Sequence, residues 1–227
     1  MPTTVDCAYE VLWRKHIMVR SSLFCAVLLG LLVTTGSHQH DVQSHHDVDI
    51  VRFWNTSEFI WTTNTTVLAR RACKVDIKVY ISQTNITFTR SYLQKTHTSS
   101  EWNIKRYDGV FYNYTSHNKS QVPFDSVDIT ARQRYNAATE VLYYQSKDDM
   151  CAVFSVLATR GSTLIPSYDI RIKDSYIQKK SPNESECWGK FKEVSFGRKT
   201  RGLYDRRCRN VLDTKYPNPV DESKLPQ

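Results

Sequence analysis

Beyond residue 57 the chain alternates apolar and polar positions over short runs separated by turn residues. Runs rich in Thr, Val, Ile, Tyr and Phe at 58–68, 74–81, 85–92, 109–114, 126–134, 139–145, 150–158 and 168–173 predict eight strands. Helical periodicity is scarce, no Pro/Gly/Ser linker divides the runs, and no repeat recurs. The pattern therefore predicts one all-β domain, an antiparallel sandwich or barrel with local connections. One helix is supported, opening at Ser181. Ser181-Pro182-Asn183-Glu184 reads as a capping box with Pro at the first helical position, and Cys187, Trp188, Phe191 and Val194 then form one stripe. That helix is expected on the outside of the sheet, tethered by Cys187.

The amino terminus follows another pattern. Leu23 to Val33 is an uncharged apolar run, preceded by Arg20 and followed by Thr34, Thr35, Gly36 and Ser37. This is the plan of a secretory signal peptide over residues 1–37, too short to span a membrane, with cleavage after Gly36 or Ser37. Met18-Val19-Arg20 would open a conventional signal by itself. Residues 38–48 hold His38, His40, His45 and His46 and are read as a solvated leader without a metal. The folded domain is expected over 49–212, with a flexible tail at 213–227.

Composition narrows the class. Of 227 residues, 40% are hydrophobic and 12% aromatic, which excludes wholesale disorder, and seven Gly exclude a collagen-like chain. The formal charge is +8; the leader carries Arg14, Lys15 and Arg20 against Asp6 and Glu10, so the mature chain is at about +7. Six sequons, at Asn55, Asn64, Asn85, Asn113, Asn118 and Asn183, fit an extracellular glycoprotein. With Cys7 and Cys25 removed, Cys73, Cys151, Cys187 and Cys208 remain. Four cysteines in a secreted chain imply two disulfides in one of three connectivities, and the absence of close pairs argues against zinc.

Sequons also assign faces, because a glycosylated Asn points outward and side chains alternate along a strand. Asn85 outward places Ile86, Phe88 and Arg90 inside; Asn113 outward places Tyr112 and Tyr114 inside. An inward face carrying Tyr, Phe and Arg fits a cavity better than a sealed core. The alternative for Arg90 is a place near a barrel mouth, snorkelling to water.

Four stretches share an order and spacing: Asp49-Ile50-Val51-Arg52-Phe53-Trp54; Thr89-Arg90-Ser91-Tyr92; Leu142-Tyr143-Tyr144 leading to Asp149-Met150-Cys151-Ala152-Val153-Phe154; and Tyr204 to Cys208. Together they resemble the tick salivary lipocalins, the histamine-binding protein family: its opening Asp and Trp segment, its Arg-Ser/Thr-Tyr strand, the strand pair around its second cysteine and its terminal Tyr-x3-Cys, in that order. The resemblance implies an eight-stranded antiparallel up-and-down lipocalin barrel with a C-terminal α-helix packed on the outside. It also implies bridges of Cys73 with Cys208 and Cys151 with Cys187, and a monomer that sequesters a small host mediator.

Amine binders of that family carry Cys-Asp-aliphatic and later Glu-Leu-Trp/Tyr. Here Cys151 is followed by Ala152, and the later triplet reads Asp169-Ile170-Arg171. One acid survives, its partner is missing, and a cation replaces the aromatic ring. Alternation turns Phe154 and Val156 inward with Ala152, and places Asp169 and Arg171 together on the inner face of the last strand. They either pair with each other, or Arg171 and Arg90 hold an anion such as a fatty acid or eicosanoid along Phe88 and Phe154. The expected ligand-binding set is Asp169 and Arg171 for charge, with Arg90, Phe88, Tyr112, Tyr143 and Phe154 on the wall. A biogenic amine such as histamine stays the other candidate ligand.

A second reading places function on the surface. Arg198, Lys199, Arg201, Arg206, Arg207 and Arg209 form a basic run suited to a sulfated glycan or an acidic host protein. Nucleic acid would share the electrostatics but not the compartment. No Gly-x-Ser-x-Gly, His-Glu-x-x-His or phosphate loop occurs, so the chain is read as a non-enzyme without cofactor.

Overall fold

The computed structural model describes residues 48–68, 70–95, 99–120, 122–131, 136–158 and 166–215. The expected signal peptide, the histidine tract and the chain from 216 onward lie outside the described residues.

Eight strands follow one another: β1 Ile60–Thr65, β2 Arg71–Ile81, β3 Asn85–Lys95, β4 Ser100–Tyr112, β5 Ser126–Ala131, β6 Asn136–Gln145, β7 Cys151–Ala158 and β8 Ser167–Lys173. Each pairs antiparallel with the next, and β1 pairs with both β8 and β2, so the sheet closes on itself. Closure between β1 and β2 rests on Ile60↔Asp76 and Trp61↔Val75. A two-residue strand, β9 Arg201–Gly202, adds to β1. All eight predicted strands are present. β4 begins nine residues before the expected 109, because Ser100 to Asp108 is polar enough to hide its alternation.

One end is plugged by α1 Ile50–Trp54, whose start is capped by Asp49, the side chain accepting from the Arg52 N–H at 3.1 Å. Phe53 and Trp54 drop into the barrel, 5.5 Å from Phe154 and 4.8 Å from Phe88 between ring centroids. Arg52 Nε donates to Asp149 at 3.1 Å, latching the plug to the β6–β7 turn. Val48, assigned to the leader by sequence, is buried in this inner core.

Three further helices lie on the carboxy-terminal side: α2 Asp174–Lys179, α3 Glu186–Val194 and α4 Arg207–Lys215. α3 packs on the outside of β6, β7 and β8. The disulfides are Cys73–Cys208 and Cys151–Cys187, the pairing the resemblance implies. Trp61, Val75, Val153, Ile170, Ile172 and Phe191 form a second apolar cluster outside the barrel. The expected stripe of α3 holds, with Cys187 and Phe191 buried. The capping box does not form. Ser181 makes no side-chain cap, residues Pro182–Glu184 form a 3-10 turn, and Ser185 Oγ donates back to the Pro182 carbonyl at 2.7 Å, so the α-helix starts one turn later.

A candidate ligand cavity above an ionic floor

On β8 the apolar phase, Ile170 and Ile172, faces the helices, and the charged phase, Asp169 and Arg171, faces the lumen. β2 repeats the inversion: Cys73 and Val75 face outward, Lys74 and Asp76 inward. β3 adds Arg90 directly across from Asp76, and β6 adds Glu140 between the inward Ala138 and Leu142. Three acids and three cations therefore meet inside the barrel.

Arg90 clasps Asp76 with two N–H groups, Nε to Oδ1 at 2.6 Å and Nη2 to Oδ2 at 2.8 Å, and donates Nη1 to Glu140 at 2.8 Å. Arg171 Nη1 donates to the other Glu140 oxygen at 2.6 Å, while its guanidinium lies over the Phe154 ring at 4.1 Å. Asp169 accepts from Lys74 Nζ at 2.6 Å and from Thr65 Oγ1 at 2.6 Å. Arg171 Nη2 stands 3.6 Å from Asp169, which joins the two halves of the network. Ala152 lies across from Arg171 in the β7–β8 register.

Burial would raise the Glu140 carboxyl, but Arg171 and Arg90 together outweigh it and hold the group well below the ordinary carboxylate range. Asp169 follows the same logic: burial raises it, while Lys74 and Arg171 bring it net below its ordinary value. Burial lowers the Lys74 ammonium, opposed by Asp169 and reinforced by Arg90 and Arg171, leaving it below the usual lysine range.

Above this floor is a cavity of about 260 Å³. Its walls differ. Arg71, Lys74, Arg90, Lys105, Tyr92 and Tyr107 line one side on β2, β3 and β4; Ile129, Ala138, Val156 and Ala158 line the other on β5, β6 and β7. Four cations thus face one carboxylate, Asp169. Arg71 and Lys105 are exposed, and among the described residues neither has a carboxylate partner. Arg71 lies over the Tyr92 ring at 4.6 Å, and Lys105 stands directly across from Arg90.

The sequence-predicted residues separate accordingly. Asp169 and Arg90 line the cavity; Arg90 is 8% exposed and paired, so it does not snorkel to water. Arg171 is fully buried in the floor, and Phe88 and Phe154 point inward but belong to the aromatic core with the plug. Tyr143 is 43% exposed: Ala138, Glu140 and Leu142 hold the inward phase of β6, so alternation turns Tyr143 outward. Tyr112 faces away from the lumen, bonding Asp128 at 3.1 Å, because Phe111 takes the inward position. Tyr114 is exposed, since β4 ends at Tyr112 and alternation does not carry to Asn113. Burial, followed by the neighbouring Asp128, pushes the Tyr112 hydroxyl up to about 12.

Sequence reasoning missed Asp76, Glu140, Lys74, Arg71 and Lys105. A signal existed: cysteines bonded to outer helices must point outward, so Cys73 places Lys74 and Asp76 inside. The basic run is partly tied down, with Arg207 on Asp205, Arg209 on Asp174, and Arg198 bonded to the Pro166 carbonyl over the Tyr168 ring.

The closed eight-strand meander with an outer helix and an internal cavity is a lipocalin barrel. Similar solved structures include the AM182 serotonin complex, at TM-score 0.48 and 16% identity over 71% of this chain and 92% of that one. Another is Japanin from Rhipicephalus appendiculatus bound to cholesterol, at TM-score 0.46 and 8% identity over 67% and 96%. No family model and no curated protein matches the chain.

Proposed function

We propose that this chain is a secreted, glycosylated, monomeric lipocalin of the tick salivary type that captures a small host mediator without chemical turnover, and that its ligand carries an acid, not an amine. The observation that supports this is the pairing of the lumen. Asp76, Glu140 and Asp169 each already hold a resident cation, whereas Arg71 and Lys105 at the cavity have no acid among the described residues. An incoming ammonium would need to displace a buried partner, while an incoming carboxylate meets two unneutralised cations and an apolar wall opposite them. At about 260 Å³ the cavity is just under the usual 300–1,000 Å³ of small-molecule sites, so it takes a compact acid or the head of a longer one.

Calorimetric titration of the mature protein with a fatty acid, a leukotriene, histamine and serotonin tests this. Saturable 1:1 uptake of an acid with no heat from either amine is expected. Saturable uptake of an amine alone overturns the reading, and silence with all four moves function to the basic surface.

A further inference from the structure

Lys74 differs from the other two cations of the floor. Arg90 is shared between two acids, and Arg171 is bonded to one acid and lies near two more, both deep in the network. Lys74 bonds Asp169 alone, and it lines the cavity with 13% of its side chain exposed, where Arg171 is at 0%. At its tip a primary ammonium meets Asp169 Oδ2 at 2.6 Å, while Thr65 Oγ1 fixes the other carboxylate oxygen at 2.6 Å. Tyr92 and Tyr107 line the same space.

A carboxylate at the base of a cavity, steadied by a hydroxyl, in a space lined by rings, is what recognition of a small primary amine requires. Here the ammonium is already present, on the end of a side chain. We propose that Lys74 is a built-in occupant of an amine site, and that by filling it the chain excludes free amines and leaves the cavity to anions. The charge count of the floor gives the reason. Asp76, Glu140 and Asp169 balance Lys74, Arg90 and Arg171; without Lys74 the floor is left with one uncompensated carboxylate. Buried, that carboxylate demands a cation, and a ligand that brings one of matching size supplies it. Truncating Lys74 also opens the volume its side chain fills, next to Asp169. Lys74 is thus a specificity-determining residue. The inference rests on the cavity reading above, from which its test can be separated.

The test compares the mature protein with its Lys74→Ala variant, using n-butylammonium, histamine and serotonin as probes. Lys74→Ala is expected to bind at least one of these about 100-fold more tightly than wild type, as restoring a truncated buried charge pair predicts. Adding Asp169→Asn removes that gain. A destabilised Lys74→Ala is read by chemical rescue: its melting temperature rises with n-butylammonium chloride relative to equal sodium chloride, and that of wild type does not. Wild type binding these amines as well as the variant does, or a variant neither titrated nor rescued by any of them, overturns the assignment. Amine gain in the variant without acid uptake by wild type sinks the acid-headed reading alone. Acid uptake by wild type without amine gain sinks the Lys74 assignment alone.

Discussion

Glu140→Gln perturbs the floor with almost no change of shape. Glu140 is fully buried and accepts from Arg171 at 2.6 Å and from Arg90 at 2.8 Å. Neutralising it leaves two buried guanidiniums sharing Asp76, and it weakens the hydrogen bond that holds Arg171, whose Nε and Nη2 make no hydrogen bond among the described residues. Removing one member of a buried ion pair costs about 3–5 kcal/mol. For a barrel of this size that corresponds to a fall in melting temperature of about 6–20 °C, at about 2–4 °C per kcal/mol. Thermal melts and urea titrations measure it directly. Replacing the pair together, Glu140→Leu with Arg171→Met, leaves the remaining charges balanced and should recover most of the loss, because apolar replacements of buried pairs run from neutral to stabilising. A single variant within 1 kcal/mol of wild type, or a double variant no better than the single, would refute the reasoning that these charges act as one balanced unit.

Three other outcomes follow from the same geometry. Because the folded Glu140 and Asp169 carboxyls bind protons less readily than unfolded ones, their stabilisation is complete above about pH 5 and is lost as pH falls through their lowered values. Acid melts should therefore steepen well below pH 4, with a shallower slope in Glu140→Gln. Arg71→Ala with Lys105→Ala should weaken acid uptake by about tenfold or more in calorimetry, flatten its salt dependence and leave the melt within about 0.5 kcal/mol, since both side chains are exposed. Gly109→Ala should cost about 1–3 kcal/mol in urea titrations, because a Cβ there would stand 2.7 Å from Val127 Cγ2 and 2.9 Å from Ile86 Cγ2 on packed inward positions.

What could be read from the sequence was the period, and what could not was its polarity. Eight runs of alternation located eight strands, since a half-buried strand repeats every two residues wherever it sits. On β8, Ile170 and Ile172 look like the residues of an ordinary core, yet they face α3, and the lumen receives Asp169 and Arg171. Alternation alone is symmetric between these arrangements, because both faces of β8 are covered, one by α3 and one by the barrel itself. An external marker has to break the symmetry. Asn85 did so correctly from within a strand, while Asn113 failed because it lies one residue past the end of β4. Cys73 and Cys151 are the stronger markers, since each must reach a cysteine on an outer helix, and from them the inward phase of β2 and β7 follows. The partner of each charge was beyond this kind of reading, for Glu140 meets Arg90 across the lumen and Arg171 from the next strand but one, at separations of 50 and 31 residues that only the folded sheet makes short. That closure also explains why a cavity persists above the floor. Apolar side chains could slide together to fill it, but six paired charges are held by direction as well as by contact, and the wall above them cannot settle without pulling a donor from its acceptor.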